Sequence, residues 1–201
     1  MKSITKDRFI KTLQEKKISL FSYSDLFRLF NLESEATAKS LLYRLKKAKI
    51  IAPLTKGKFQ FLLARQLADD FAIANFIYPP SYVSLESALS YYGLIDQFPY
   101  QVTSITVNKA RLVKINEKEY AFARIRPVFF KDYIRREEFI IAGELKAAFD
   151  YLYLVYKGAR AESGFSLIRG INKVDFRQYV LKLATGKDDK FISFCKSREL
   201  I

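Results

Sequence analysis

Residues 34–62 read SEATAKSLLYRLKKAKIIAPLTKGKFQFL, and this stretch decides what the first part of the chain becomes. Ala38, Leu41, Leu42, Leu45 and Ala48 recur at three- and four-residue steps, which puts them on one stripe of a helix that packs inward. Thr37, Ser40, Arg44 and Lys47 recur at the same spacing on the other side, flanked by Lys39, Tyr43 and Lys46. Ser34 is the expected N-cap, and the helix is expected to run to about Lys49. Beyond it, Ile50–Leu54 and Lys58–Leu62 are short strand-like runs around Thr55-Lys56-Gly57. Gly57 supplies the positive φ that a tight hairpin demands, with Lys56 and Lys58 projecting from the tip.

Upstream, Ile4, Phe9, Ile10 and Leu13 recur near helical spacing and predict a first helix ending at Lys16. Ser22-Tyr23-Ser24-Asp25 reads as a capping box, in which the serine oxygen accepts from an amide and the carboxylate reaches back. Leu26, Leu29 and Phe30 supply the apolar face of that second helix, and Asn31-Leu32-Glu33 reads as the turn. Three helices followed by a basic hairpin predict a winged helix-turn-helix over residues 1–63. The plainer alternative is a small helical cap carrying an ordinary hairpin.

Composition supports a folded protein with a polyanionic partner. The chain has 201 residues, half of them hydrophobic, with 18 Phe and 13 Tyr, so apolar surface to bury is ample. Thirty-five Lys and Arg against 21 Asp and Glu give a net charge of +14, which points to nucleic acid before other partners. Residues 1–62 hold 14 of the cations and 5 of the acids, so most of the excess lies in the first third. There is no His, which removes His-based triads, His general bases and His-ligated zinc. The single Cys195 excludes a disulfide framework and Cys-rich zinc sites and fits a reducing cytosol. No long apolar run and no signal-peptide pattern occurs, so a soluble, cytoplasmic protein is expected.

Residues 64–201 read as a second, mixed domain, making the whole chain α+β. Arg65–Tyr78 has helical periodicity and stops at Pro79-Pro80, while Ser84 is placed to cap a helix Leu85–Tyr92 closed by Gly93. Val102–Val107, Leu112–Ile115, Tyr120–Ile125 and Phe139–Ile141 are strand-like. Leu145, Ala148, Phe149, Leu152 and Tyr156 mark a long apolar helix closed at Lys157-Gly158, and Val174–Leu183 and Lys190–Cys195 predict two final helices.

The string Pro79-Pro80-Ser81-Tyr82-Val83-Ser84-Leu85-Glu86-Ser87-Ala88-Leu89, following a winged helix, resembles the AbiEi-type antitoxins of the abortive-infection E family. The strand Val102–Val107 and the helix Glu144–Tyr156, which resembles the family's Glu-Lys-Ala-Leu-Leu-Asp segment, extend the resemblance over nearly the whole chain. Gly143 stands where the family often has Pro, and Lys146-Ala147-Ala148 where it has Lys-Ala-Leu. The resemblance implies a cytoplasmic type IV toxin–antitoxin component. Its winged helix would bind inverted repeats in its own promoter as a transcriptional autorepressor. Its C-terminal antitoxin domain would counteract a nucleotidyltransferase-like toxin without a tight complex. Read from the residues alone, most of the Pro-Pro-Ser-Tyr-Val-Ser block is core and turn, because its apolar positions follow helical period.

No catalytic constellation stands out. Asp69-Asp70, Asp188-Asp189 and Glu137-Glu138 are adjacent pairs that a helix points about 100° apart, and neither a phosphate loop nor a dinucleotide fingerprint is present. No catalytic residue, metal or cofactor is expected, and Cys195 reads as a buried or incidental thiol. Tyr151, Tyr153 and Tyr156 read as core or interface. Double-stranded DNA is the expected partner: Thr37, Ser40, Arg44 and Lys47 enter the major groove, and Lys39, Lys46, Lys56 and Lys58 hold phosphates. Inverted repeats need two winged helices, so a free monomer or dimer pairs on DNA. The alternative is a non-enzymatic protein- or RNA-binding module acting on a toxin or its RNA substrate, motivated by a second basic cluster, Arg124, Arg126, Lys131, Arg135 and Arg136.

Overall fold

The structure, a computed structural model, describes residues 4–96, 99–162 and 168–201. The chain is a mixed α/β protein that divides into two compact units, Met1–Ile77 and Tyr78–Ile201. Helix Asp70–Ile77, which the sequence reading gave to the second part, groups with the first.

The first unit begins with α1 (Lys6–Glu15), capped by the Thr5 hydroxyl, followed by β1 (Leu20–Ser22), α2 (Tyr23–Phe30) and α3 (Glu35–Lys47). Then come β2 (Ile51–Thr55), β3 (Lys58–Phe61) and α4 (Asp70–Ile77). The three strands form an antiparallel sheet in the order β1-β3-β2, with Phe21 opposite Phe59 and Ile51 opposite Phe61. Phe9 is the hub of the core. Its ring lies 5.5 Å from Phe30, 5.7 Å from Phe21 and 6.0 Å from Phe61, separations at which aromatic pairs add to simple area burial. The expected helix from Arg65 is shorter than its periodicity suggested. Leu67 is exposed, and the Asp69 carboxylate accepts from the Ala72 N–H at 2.7 Å, so the helix starts where an acid satisfies an orphan donor.

The capping box at Ser22 forms in full. The Asp25 N–H donates to Ser22 Oγ at 3.2 Å, and the Ser22 N–H donates to Asp25 Oδ2 at 2.8 Å. Burial pushes the Asp25 carboxyl up, but the Ser22 hydroxyl and N–H and the Arg28 guanidinium outweigh it and hold the carboxyl below its ordinary value. A lowered folded-state pKa contributes stability above the unfolded value, and that contribution is lost as pH falls through the folded value. Asp25→Ala is therefore expected to destabilise the first unit by about 1 kcal/mol at pH 7. In urea titrations the gap from wild type narrows below about pH 4.

The second unit holds a six-stranded mixed sheet, in the order β6-β7-β5-β4-β9-β8. Its strands are β4 (Ser81–Val83), β5 (Val102–Thr106), β6 (Arg111–Ile115), β7 (Lys118–Arg124), β8 (Tyr133–Arg135) and β9 (Ile140–Ala142). Strand β5 is buried at all five positions, as a strand covered on both faces must be. The α-helices among the described residues of this unit are α5 (Leu85–Tyr91), α6 (Glu144–Tyr156), α7 (Lys173–Ala184) and α8 (Asp189–Ser197). Every residue of α6 from Lys146 to Val155 is buried, so α6 is a core helix rather than an amphipathic surface one. Tyr151 and Tyr153 are core residues here.

Candidate nucleic-acid interface

Two turns position α3. Asn31 takes a left-handed conformation (φ 48°) at the end of α2, which a short polar side chain tolerates, and Leu32 N–H donates back to Phe27 O. Ser34 then precedes α3 as its N-cap, although its side chain makes no capping hydrogen bond. Ala38, Leu41, Leu42 and Leu45 are buried as their spacing predicts. Ala48 is not: the helix ends at Lys47, Ala48 is its C-cap, and the residue is exposed.

The opposite face is open. Ser40, Arg44 and Lys47 are exposed, Thr37 is half-buried, and the flanking Lys39, Lys46 and Tyr43 are exposed, Tyr43 to 67 %. From Thr37 to Lys47 the helix rises about 15 Å, so four side chains of one row lie along a single accessible ridge. Two of the flanking cations already have partners. Lys39 pairs with Glu35 at 3.0 Å, and Lys46 lies over the Phe59 ring at 5.5 Å. Surface pairs of the first kind are weak, so a phosphate competes readily for Lys39.

The hairpin between β2 and β3 turns at Lys56-Gly57, with Gly57 at φ 73°. Its carbonyl accepts from Tyr23 N–H at 2.7 Å, and the Tyr23 hydroxyl donates to Glu35 O at 3.4 Å. The hairpin tip, the start of α2 and the start of α3 are thus tied together. Lys56 is exposed at the tip, but Lys58 does not project from it. Its ammonium donates to Phe76 O at 2.7 Å and Ile77 O at 3.1 Å and lies over the Phe76 ring. Burial lowers its pKa. Lys58 caps the carbonyl end of α4, as a cation near a helix C-terminus does. Lys58→Ala should therefore cost stability, about 1 kcal/mol in urea unfolding, whereas Lys56→Ala should leave stability unchanged.

The second basic cluster is not brought together. Arg124 ends β7 while Arg135 ends β8, and β5, β4 and β9 lie between those strands. At about 4.8 Å per strand the separation is roughly 19 Å. Arg126 is engaged with Lys187 O at 2.8 Å and Asp188 Oδ2 at 3.2 Å, while Lys131 and Arg136 are exposed on the connections flanking β8. Closeness in sequence here reflects turns, not a shared patch.

Past the exposed Pro79 and Pro80, the string that carries the resemblance is mostly buried from Ser81 to Leu89. Tyr82, Ser84, Ser87 and Asp150 are all buried. Asp150 Oδ2 accepts from the Tyr82 hydroxyl at 3.0 Å and the Ser84 hydroxyl at 2.8 Å, and Oδ1 accepts from the Lys146 ammonium. Lys146 is itself buried, over the rings of Tyr82 and Phe149. Burial raises the Asp150 carboxyl, opposed by Lys146 and the two hydroxyls, and lowers the Lys146 ammonium. Ser84 is the N-cap of α5 by position, yet its hydroxyl goes to Asp150. The N–H donors at that helix start find Thr103 instead: Ser87 N–H donates to Thr103 Oγ1 at 3.0 Å and Ser84 N–H to Thr103 O at 3.1 Å. The two stretches that carry the resemblance, Pro79–Leu89 and Glu144–Tyr156, are pinned to each other by Asp150.

Asp188 caps α8 and holds Arg126, and Asp189 accepts from Gly186 N–H. Cys195 is buried, and burial pushes its thiol up to about 12. Among the described residues no group of three or more Cys, Asp or Glu could hold a metal ion, and no helix is long and apolar enough to cross a membrane. Sequence reasoning missed the Lys146–Asp150 pair, because neither residue departs from an ordinary i,i+4 surface pair until burial is known. Neither protein-family models nor curated proteins match the chain.

Proposed function

We propose that the first unit is a winged helix-turn-helix and that the protein is a DNA-binding transcriptional autorepressor with antitoxin activity. The observation that carries this reading is the open ridge of α3, where Thr37, Ser40, Arg44 and Lys47 are accessible on a helix whose other side is core. A ridge of that length and chemistry suits the major groove: hydroxyls reach phosphates near the helix start, and Arg44 can read guanine in bidentate fashion. Lys46, Lys47 and Lys56 hold phosphates, with Lys39 released from Glu35 to join them. Lys58 is not in this set, being spent on α4.

The antitoxin part rests on the resemblance of Pro79–Leu89 and Glu144–Tyr156 to the abortive-infection E family. The burial of most of Ser81–Leu89 and of all of Lys146–Val155 supports reading these stretches as the scaffold of that domain. A reporter driven by the protein's own upstream DNA tests the regulatory half. Wild type represses it, and the Thr37/Arg44/Lys47 triple alanine variant does not. Growth rescue from a nucleotidyltransferase-like toxin encoded alongside tests the other half. The triple variant still rescues if neutralisation belongs to the second unit, and loss of rescue with intact folding contradicts that division.

A further inference from the structure

Strand β8 ends the six-stranded sheet: it pairs with β9 on one side and, among the described residues, with no strand on the other. Every residue from Lys131 to Glu138 is exposed, Tyr133 to 45 % and Ile134 to 41 %. The register shows which main-chain groups β9 leaves unused. Tyr133, Ile134 and Arg135 stand opposite Ala142, Ile141 and Ile140, and the Arg136 N–H donates to Phe139 O at 2.8 Å. Hydrogen-bonded and non-hydrogen-bonded pairs alternate along an antiparallel ladder, so Ile134, like Arg136, turns its N–H and C=O to β9. Those of Tyr133 and Arg135 point outward. An edge of this kind is a template for another strand.

The charges choose that strand. Lys131-Asp132-Tyr133-Ile134-Arg135-Arg136-Glu137 complements itself when reversed about Ile134. An antiparallel second copy sets Lys131 against Glu137, Asp132 against Arg136 and Tyr133 against Arg135, with Ile134 facing its own counterpart. The outward groups also allow twofold registers centred one residue to either side. An axis through Tyr133 sets Arg135 against Lys131, and an axis through Arg135 sets that residue against itself, so both bring like charges together. Asp132 leaves the strand in a left-handed conformation at φ 58°, so the flanking pairs add charge attraction rather than ladder bonds. The other edge of the sheet, β6, carries Arg111 and Lys114 and no acid, and lacks this self-complementarity.

We infer that β8 pairs with β8 of a second copy of this chain, antiparallel about Ile134, joining two sheets edge to edge in a closed twofold dimer. Tyr133 of each copy exchanges both main-chain bonds with Arg135 of the other, and each guanidinium lies beside the facing tyrosine ring. Ile134 meets its counterpart in a non-hydrogen-bonded pair, where side chains approach most closely. A strand of three residues a side makes a small interface, so the dimer is weak, with a dissociation constant between about 1 μM and 1 mM. The inference is independent of DNA binding by α3.

Sedimentation equilibrium of the full chain at low salt tests it. Wild type is expected to show a reversible monomer–dimer equilibrium. Arg135→Pro removes an outward donor and spares the β9 ladder, as proline on an edge strand can, so it weakens the dimer about tenfold or more. Lys131→Glu and Glu137→Lys each set like charges across the axis and weaken self-association. Mixed in equal amounts, those two variants restore both charge pairs and associate about threefold or more tightly than either alone. The mixture reads the register even where Arg135→Pro impairs folding, which melting curves decide. The triple alanine variant of α3 dimerises as wild type does. A chain that stays monomeric up to about 1 mM overturns the proposal. So does a dimer that a folded Arg135→Pro variant leaves unchanged, a mixture no tighter than its components, or a dimer that the α3 variant abolishes.

Discussion

Replacing Asp150 by Ala is expected to destabilise the second unit by about 3–5 kcal/mol, the cost of leaving a buried charge without its partner. Three donors converge on this carboxylate: the Lys146 ammonium and the Tyr82 and Ser84 hydroxyls. Asp150 is wholly buried and Lys146 is 2 % exposed, so water cannot take over for either. The variant strands an ammonium among the rings of Tyr82 and Phe149, where cation–π attraction returns only part of the lost hydration. It also orphans two hydroxyls, at about 1 kcal/mol or more each. Leu85 adds to the effect, because its left-handed φ of 58° is held only while Ser84 and Thr103 fix the chain on either side of it. The double variant Lys146→Met, Asp150→Leu removes both charges and keeps the volume filled, so it recovers most of the loss. Urea unfolding followed by tyrosine near-UV circular dichroism reads both. Equal losses in the single and double variants would show that the pair does not act as one unit.

The same pair shows why part of this protein was legible in its sequence and part was not. Helix α3 could be read because its two faces are written in one short window: Leu41 and Leu45 inward, Ser40 and Arg44 outward. The capping box was equally local, with Ser22 and Asp25 three residues apart. What failed depends on partners far along the chain. Strand β1 has three residues, too few to show alternation, and exists because Phe21 pairs with Phe59. Lys58 looks like a hairpin-tip cation until the carbonyls of Phe76 and Ile77 are placed beside it. Ser84 stands at an N-cap position, but its hydroxyl serves a carboxylate 66 residues away. Arg124 and Arg135 are near in sequence, yet strand order sets three strands between them.

Removing the side chains of Thr37, Arg44 and Lys47 together is the second large effect expected. Arg44 and Lys47 are exposed and Thr37 is half-buried, and none belongs to the buried stripe of Ala38, Leu41, Leu42 and Leu45, so folding should survive. A bidentate arginine contact to guanine carries about 1–3 kcal/mol, and in the proposed complex the Thr37 hydroxyl and the Lys47 ammonium each add a phosphate contact. Loss of all three should lower affinity for the operator by several kcal/mol, with Arg44 carrying the sequence preference. Lys56 acts differently. In the proposed complex this hairpin-tip cation would meet phosphate alone, so Lys56→Ala is expected to weaken all sequences alike and to reduce the salt slope by about 1.

The measurement that bears most directly on this account is fluorescence anisotropy of the wild type and the triple alanine variant on the DNA upstream of the protein's own gene, across a salt series. The account predicts that wild type binds that DNA more tightly than scrambled DNA, with a steep negative dependence on salt. It predicts that the triple variant, with an unchanged melting curve, loses the preference. Equal binding of the two proteins to the upstream DNA would contradict the assignment of the α3 ridge as the reading surface.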